Sequence, residues 1–207
     1  MKSSADSIAF RLPEWLAAYK DAYKATSEIK SRMSFVLEAA QKNAATKTSG
    51  PFAAAIFESD SGKLVSLGVN LVQREKLSIL HAEIVAIVVA QRMLNTYDLG
   101  EAGLPSHELV TSAEPCALCL GAIPWSGVRR LVIGARDQDV REIGFDEGPK
   151  PSDWRGELER RGIEVITDVE RSHAVDILKA YAAGGGLIYG GRATSHLSTG
   201  TITKSSD

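Results

Sequence analysis

His81-Ala82-Glu83 and, further along the chain, Pro115-Cys116-Ala117-Leu118-Cys119 are the residues whose types and spacing could do chemistry. One imidazole and two thiols make a soft N/S donor set of the kind that binds zinc. Three protein ligands are also what a catalytic zinc keeps, its fourth tetrahedral position being left to water. His81, Cys116 and Cys119 are therefore predicted to hold one zinc per chain, with water or hydroxide as the fourth ligand. Zinc draws the pKa of bound water from ~15.7 towards ~7, which supplies a nucleophile at neutral pH. Glu83 is then a spare carboxylate beside that nucleophile, placed to take and return its proton. Each piece alone has a plainer reading: Cys-x-x-Cys fits a redox dithiol or a buried structural pair, and a lone histidine fits a satisfied core residue. The pieces together point to hydrolysis at a metal.

That chemistry needs two helix starts to converge. Pro115 suits a helix start and puts Cys116 and Cys119 three residues apart on one face. Helix N-termini favour anions, which biases both thiols towards the metal-binding thiolate. His81 and Glu83 are two apart and would point in nearly opposite directions inside a regular helix. They can cooperate only where the helix begins.

The remaining elements follow from periodicity. A helix is expected at Pro13–Tyr19 and another from Glu28 to about Ala45, capped by Thr26 or Ser27. Phe52–Phe57 and Leu64–Val69 flank an Asp60-Ser61-Gly62 turn and read as a hairpin. A helix from about His81 to Leu94, apolar almost all round, belongs inside the protein. Strands are expected at His107–Ser112, Arg130–Ala135 and Ile163–Thr167, and helices at Cys116–Ser126 and after Asp168, which is the expected cap. Strands alternating with helices predict a central sheet covered on both faces. Residues 1–27 read as a helical extension, 28–183 as the main domain, and 184–207 as a Gly/Ser/Thr-rich segment. His107, His173 and His196 lack ligand spacing and read as surface or loop residues, and Arg155, Arg160 and Arg161 as an exposed helix face.

Composition limits the partners. The 207 residues carry 24 Lys+Arg against 26 Asp+Glu, a formal net charge of −2, and the pI is about 6.1. No basic surplus offers itself to a nucleic acid, whose binding rests largely on phosphate neutralisation. The longest apolar run, Ile84–Ala90, is too short to span a bilayer, and Lys2-Ser3-Ser4-Ala5-Asp6 lacks a signal-peptide core. With Cys116 and Cys119 the only 2 cysteines, no disulfide framework exists, and a reducing, cytoplasmic location is expected.

The spacing His-x-Glu…Pro-Cys-x-x-Cys is the known signature of zinc nucleobase deaminases. Over roughly Ser31 to Ala183 the chain resembles the cytidine deaminase superfamily, through His81-Ala82-Glu83-Ile84, Thr111-Ser112-Ala113-Glu114-Pro115-Cys116, Leu120-Gly121-Ala122-Ile123 and Ile133-Gly134-Ala135-Arg136. Within it the chain is similar to the guanine deaminases of this fold, through Gly50-Pro51-Phe52, Gly68-Val69-Asn70, Ala122-Ile123-Pro124-Trp125 and Ile143-Gly144-Phe145-Asp146-Glu147. The resemblance implies a three-layer α/β/α sandwich around a mostly five-stranded mixed sheet. It implies conversion of guanine to xanthine and ammonia, a step of purine catabolism, in a homodimer with no membrane or nucleic-acid partner. Glu147, where relatives often have Asp, would be a second proton shuttle beside Glu83. Asn70 would read the purine edge, Phe52 and Trp125 would sandwich the base, and Tyr189 would belong to a C-terminal lid. These residues have plainer readings too: Asn70 and Glu147 as turn residues, Phe52 and Trp125 as core aromatics, the C-terminal segment as a frayed end. The competing functions are a tRNA adenosine deaminase, or another nucleobase deaminase of this fold, and a non-catalytic zinc-binding interaction domain.

Overall fold

The computed structural model describes residues 8–190. Five strands form one sheet: β1 (Ala53–Glu58), β2 (Leu64–Val69), β3 (His107–Ala113), β4 (Arg130–Ala135) and β5 (Glu164–Ile166), in the order β2-β1-β3-β4-β5. β1 runs antiparallel to both β2 and β3, while β3, β4 and β5 are parallel. The sheet is therefore mixed, as expected, and the β1–β2 hairpin forms.

Alternation along β1 divides the core. Ala53, Ala55 and Phe57 pack with Met33, Val36 and Leu37 of α2 (Ile29–Ala45) and with Ala174, Ile177 and Leu178 of α8 (Arg171–Ala183). Leu16 of α1 (Trp15–Asp21) joins that cluster, so the N-terminal helix shares the main core. Ala54 and Ile56 face the other way, against Ala82, Ala86 and Ile87 of α4 (Ala82–Leu94) and Leu120 and Ile123 of α5 (Ala117–Ser126). Side chains two apart on a strand share a face, so one strand serves both layers.

Three short helices escaped the periodicity argument: α3 (Val72–Glu75), α6 (Asp137–Glu142) and α7 (Trp154–Glu159). None is long enough to show a repeating apolar stripe. Two caps also differ from expectation. α2 starts after Glu28, because Thr26 Oγ1 instead accepts the Glu28 N–H (3.1 Å). α8 starts after Glu170, because Asp168 pairs with Arg136 (2.6 Å). His107 is not at the surface: it is buried, with Nδ1 2.7 Å from the Leu99 carbonyl. Arg155, Arg160 and Arg161 do form an exposed, ion-paired face, with Glu159 and Glu157 as partners.

Position along the sheet follows from two close contacts. β2, β3 and β4 all point the same way, and the helices after β2 and β3 (α4 and α5) pack on the same face. Both helix N-termini therefore lie at one edge, outside the strands' carboxyl ends, where ligands of α/β sheets bind. Gly68 on β2 sets the height of α4: a Cβ there would overlap Ala82 O and Ala86 N. Ser66 reinforces the contact by donating from Oγ to Ala86 O (2.7 Å).

Below the sheet's other face, Arg32 Nε lies 2.7 Å from Glu108 Oε1, with side chains 1% and 0% exposed. The N–H does not point along that contact, so this is a close ion pair and not an aligned hydrogen bond. Arg130 holds the other carboxylate oxygen at 3.1 Å. Removing one partner of a buried pair leaves the other charge uncompensated. Arg32→Ala should therefore cost ~3–5 kcal/mol in urea unfolding; a loss under ~1 kcal/mol, the worth of an exposed pair, would show that the pair is dispensable. Asp139 is a second anchor, taking both Arg171 nitrogens at 2.8 and 2.7 Å and the Arg136 N–H at 2.8 Å. The Arg171 hydrogen bonds hold its carboxyl below the usual range. A carboxylate with a depressed folded pKa adds stability above its unfolded pKa of ~3.9 and loses it as pH falls through the folded value. Asp139→Asn should flatten that acid limb of the Tm profile.

Candidate metal centre and its cavity

His81 and Cys116 occupy equivalent places. Each is the extended N-cap residue of its helix, with ψ of 158° at His81 and 172° at Cys116. An N-cap precedes regular helical geometry, which lets His81 and Glu83 of α4's first turn face one space. Cys119 follows one turn after Cys116. The ligand atoms of His81, Cys116 and Cys119 all lie within 4.8 Å of one another, and Cys116 Sγ is 3.3 Å from His81 Nδ1. Zn–S of ~2.3 Å and Zn–N of ~2.0–2.1 Å at a tetrahedral angle place S and N about 3.5 Å apart. The donor set fits zinc in number, type and spacing.

These donor atoms and the carboxylates beside them perturb one another. Cys119 hydrogen-bonds Cys116 and lowers its thiol to about 4, and His81 pulls the same way. The shared bond and burial push Cys119 up. His81 is disfavoured as a cation by burial, but its bond to Cys116 and the nearby Glu83 and Glu147 outweigh this and raise its pKa. Burial, and then the Cys116 charge, raise Glu83.

Glu83 Oε2 lies 3.4 Å from Cys119 Sγ. Glu147 is buried (8% exposed) and lines the same cavity. Its carboxyl is pushed up to about 8 by burial and by the Cys116 and Glu83 charges. Its carbonyl accepts the Ala117 N–H at 2.9 Å, which fastens the Gly144–Gly148 loop to the first turn of α5. Lys150 completes the fastening: Nζ reaches Glu114 Oε1 and Asp137 Oδ1, both at 2.6 Å.

The cavity has a volume of about 260 Å³. That is below the ~300–1,000 Å³ usual for drug-sized ligands and suits a single small heterocycle. Phe52, Phe145 and Tyr189 supply its aromatic surface, with Phe145 edge-on to Phe52 (centroids 5.1 Å) and to Tyr189 (5.4 Å). Asn70 lies at the rim. The C-terminal strand of chain reaches across: Tyr189 and Gly190 both line the cavity, and a Cβ on Gly190 would press against Asp146. Tyr181 Oη and Gln73 Nε2 both donate to Leu187 O, at 2.9 and 3.3 Å, fixing the approach. The part of the expected lid beyond Gly190 lies outside the described residues, as does His196.

Trp125, expected as an aromatic wall for the base, does not line this cavity within the chain. It is 85% exposed and lines a separate surface groove with Pro124 and Trp154. Ile123 points into the core, and two further residues on a helix of 3.6 per turn rotate the side chain about 200° away from it. The second aromatic wall beside Phe52 is Phe145. Phe145, Ser49 and Lys150 carry no ligand signature of their own; Phe145 alone was foreshadowed, inside the Ile143–Glu147 motif.

Residues 26–135, more than half of the chain, match the family described as "Cytidine and deoxycytidylate deaminase zinc-binding region". The structure is similar to that of a guanine deaminase from Nitrosomonas europaea, 47% identical, with a TM-score of 0.84 over 87% of this chain and 98% of that one. The guanine deaminase of Bacillus subtilis is 37% identical over 47% of this chain and 58% of its own length. A tRNA-specific adenosine deaminase of Rickettsia bellii is 32% identical over 44% and 60% respectively. The chain thus spans about three fifths of the length of these curated relatives.

Cys116→Ala and Cys119→Ala should each remove zinc from the purified protein, because two ligands cannot hold a catalytic zinc as three do. Metal analysis giving one equivalent of zinc in either variant would mean the metal sits elsewhere.

Proposed function

The chain belongs to the cytidine and deoxycytidylate deaminase family, and on that premise we propose that it is a guanine deaminase, hydrolysing guanine to xanthine and ammonia. One observation carries the reading: the His81, Cys116 and Cys119 cluster adjoins a cavity of single-ring to purine size, lined by His81 and Cys116, that also holds two buried carboxylates, Glu83 and Glu147. Bound there by His81, Cys116 and Cys119, zinc would supply the Lewis acidity that lets water act as nucleophile near neutral pH. Glu83 takes the proton from that water and delivers it to a ring nitrogen as the C2–O bond forms. Glu147, whose burial makes its carboxyl hold a proton more tightly than an exposed acid does, gives a proton to the exocyclic amine, so that ammonia and not amide anion departs as the C–N bond breaks. Two carboxylates whose surroundings differ divide acid and base work in this way.

Phe52 and Phe145 hold the flat ring, and Asn70 bonds its edge. Tyr189 and Gly190 act as a lid that keeps bulk water from the reacting ring, which strengthens the electrostatics within. Truncation after Ala183 should then lower kcat while zinc content and Tm hold.

The second reading, adenosine deamination in tRNA, has the Rickettsia relative in its favour. The cavity wall argues against it. Among the described residues that line it there is no Lys or Arg, while Glu83, Glu114, Asp146 and Glu147 are present. An acidic mouth repels a polyanion. We further propose a homodimer formed through α4 and α5, where Val88, Met93, Leu118 and Trp125 stand exposed on adjoining helices. Sedimentation of the wild type and of Trp125→Glu tests this: dimer giving way to monomer is expected, and an unshifted dimer refutes it.

Ammonia release on guanine should exceed that on adenosine, cytosine and a tRNA stem-loop. Glu83→Gln should lower kcat on guanine by at least ~10²–10⁴-fold, the worth of a general acid–base group, with zinc retained. Turnover of the stem-loop with none of guanine would reverse the assignment.

A further inference from the structure

Asn70 ends β2 at the cavity rim and is 2% exposed. Two donors already claim its side-chain oxygen. The Val72 N–H reaches Oδ1 at 3.2 Å, and Ser49 Oγ lies 2.6 Å from the same atom. Ser49 is the donor in that second contact, since its own oxygen accepts the Gln73 N–H at 3.2 Å. Backbone N–H groups can only donate, so they fix which end of the amide is oxygen; turning it over would set NH₂ against N–H. The chain of bonds runs Gln73 N–H to Ser49 O–H to Asn70 Oδ1. Asn43 holds the strand end behind it, donating from Nδ2 to Asn70 O (3.0 Å) and Gly50 O (2.9 Å).

Only Nδ2 remains for the cavity, which Tyr189 also lines. The oxygen is already spent.

We propose that Ser49 is a positioning residue that makes Asn70 a pure hydrogen-bond donor, so that the site selects an acceptor on the substrate's edge: a carbonyl oxygen or an unprotonated ring nitrogen. The inference deepens the guanine reading and rests on it. Ser49 lines a neighbouring cavity and not the one holding the zinc ligands, so it acts only through Asn70. A substrate lacking the acceptor leaves Nδ2–H buried and unpaired once water is excluded, which costs affinity. Without Ser49, Oδ1 keeps only the Val72 N–H, and the amide is held at the cavity by one hydrogen bond in place of two, so Nδ2 is aimed less firmly.

The test compares guanine with 7-deazaguanine, in which C–H replaces the N7 acceptor, and with 2-aminopurine, which lacks the 6-oxo acceptor. Both keep the amine at C2. In the zinc-loaded wild type, kcat/KM should fall at least tenfold for whichever analogue lacks the acceptor that Asn70 meets. In Ser49→Ala, guanine should lose about tenfold, mainly through KM, while that analogue stays within about twofold of its wild-type value. Guanine's advantage then collapses with zinc content and Tm preserved. An unchanged advantage overturns the inference, and so does an equal loss on all three substrates, which is what general damage would give. Should Ser49→Ala fail to fold, Asn70→Asp takes its place: the carboxylate still accepts from Ser49 and Val72 but has no hydrogen for the ring. It should raise KM for guanine at least tenfold with zinc retained, and a wild-type KM overturns the inference. Wild-type protein inert on guanine would sink the function reading as well; an active wild type indifferent to Ser49 would sink this inference alone.

Discussion

The backbone-to-backbone approach of α4 to β2 at Gly68 is the constraint on which the rest of the site depends. No side chain separates the helix from the strand there, so α4 cannot slide or rise without meeting the sheet. That fixes where its first turn begins, and His81 with Glu83 along with it. The parallel crossover from β3 to β4 does the same for α5 and places Cys116 beside His81. A zinc ligand set tolerates errors of a few tenths of an ångström, and rigid elements deliver that more reliably than loops. The loop bearing Glu147 has no such element and is instead stapled: to α5 through Ala117, and to the end of β3 through Lys150 and Glu114.

A consequence is that the chain buries negative charge where its own fold has little to offset it. Glu83, Glu147 and a Cys116 thiol poised to ionise share one small space, and each raises the pKa of a neighbour. A divalent cation bound by His81, Cys116 and Cys119 would offset that charge. The carboxylates are then free to differ, Glu83 closest to the sulfurs and Glu147 nearer the loop. The same bookkeeping explains why no lysine or arginine lines the cavity among the described residues: a fixed cation would compete with the metal and quench the shuttles.

How much of this was legible in the sequence depended on what kind of signal each part leaves. The zinc ligands and Glu83 were readable because their spacing is dictated by coordination and by helix-start geometry, both local properties. The sheet and its covering helices were readable from alternation and from the apolar faces of α4 and α8. The three short helices left no periodicity. The direction of Trp125 was not legible because an aromatic beside a motif looks alike whether it points inward or outward, and only its rotation from Ile123 on α5 separates the two. Ser49 and Lys150 were invisible for a different reason: each acts through partners distant in sequence, Asn70 for one and Glu114 for the other.

Those distant contacts also join the substrate rim to the strap above it. Ser49 and Asn70 take the N–H groups of α3's first turn, and α3 in turn supplies Gln73, which bonds Leu187 O within the strap. Tyr189, further along that strap, lines the same cavity as Asn70. The amide that is to meet the ring and the segment that is to cover it are therefore parts of one hydrogen-bonded unit. Asn70 and the strap are tied through Gln73, whose backbone N–H bonds Ser49 and whose side chain bonds Leu187 O.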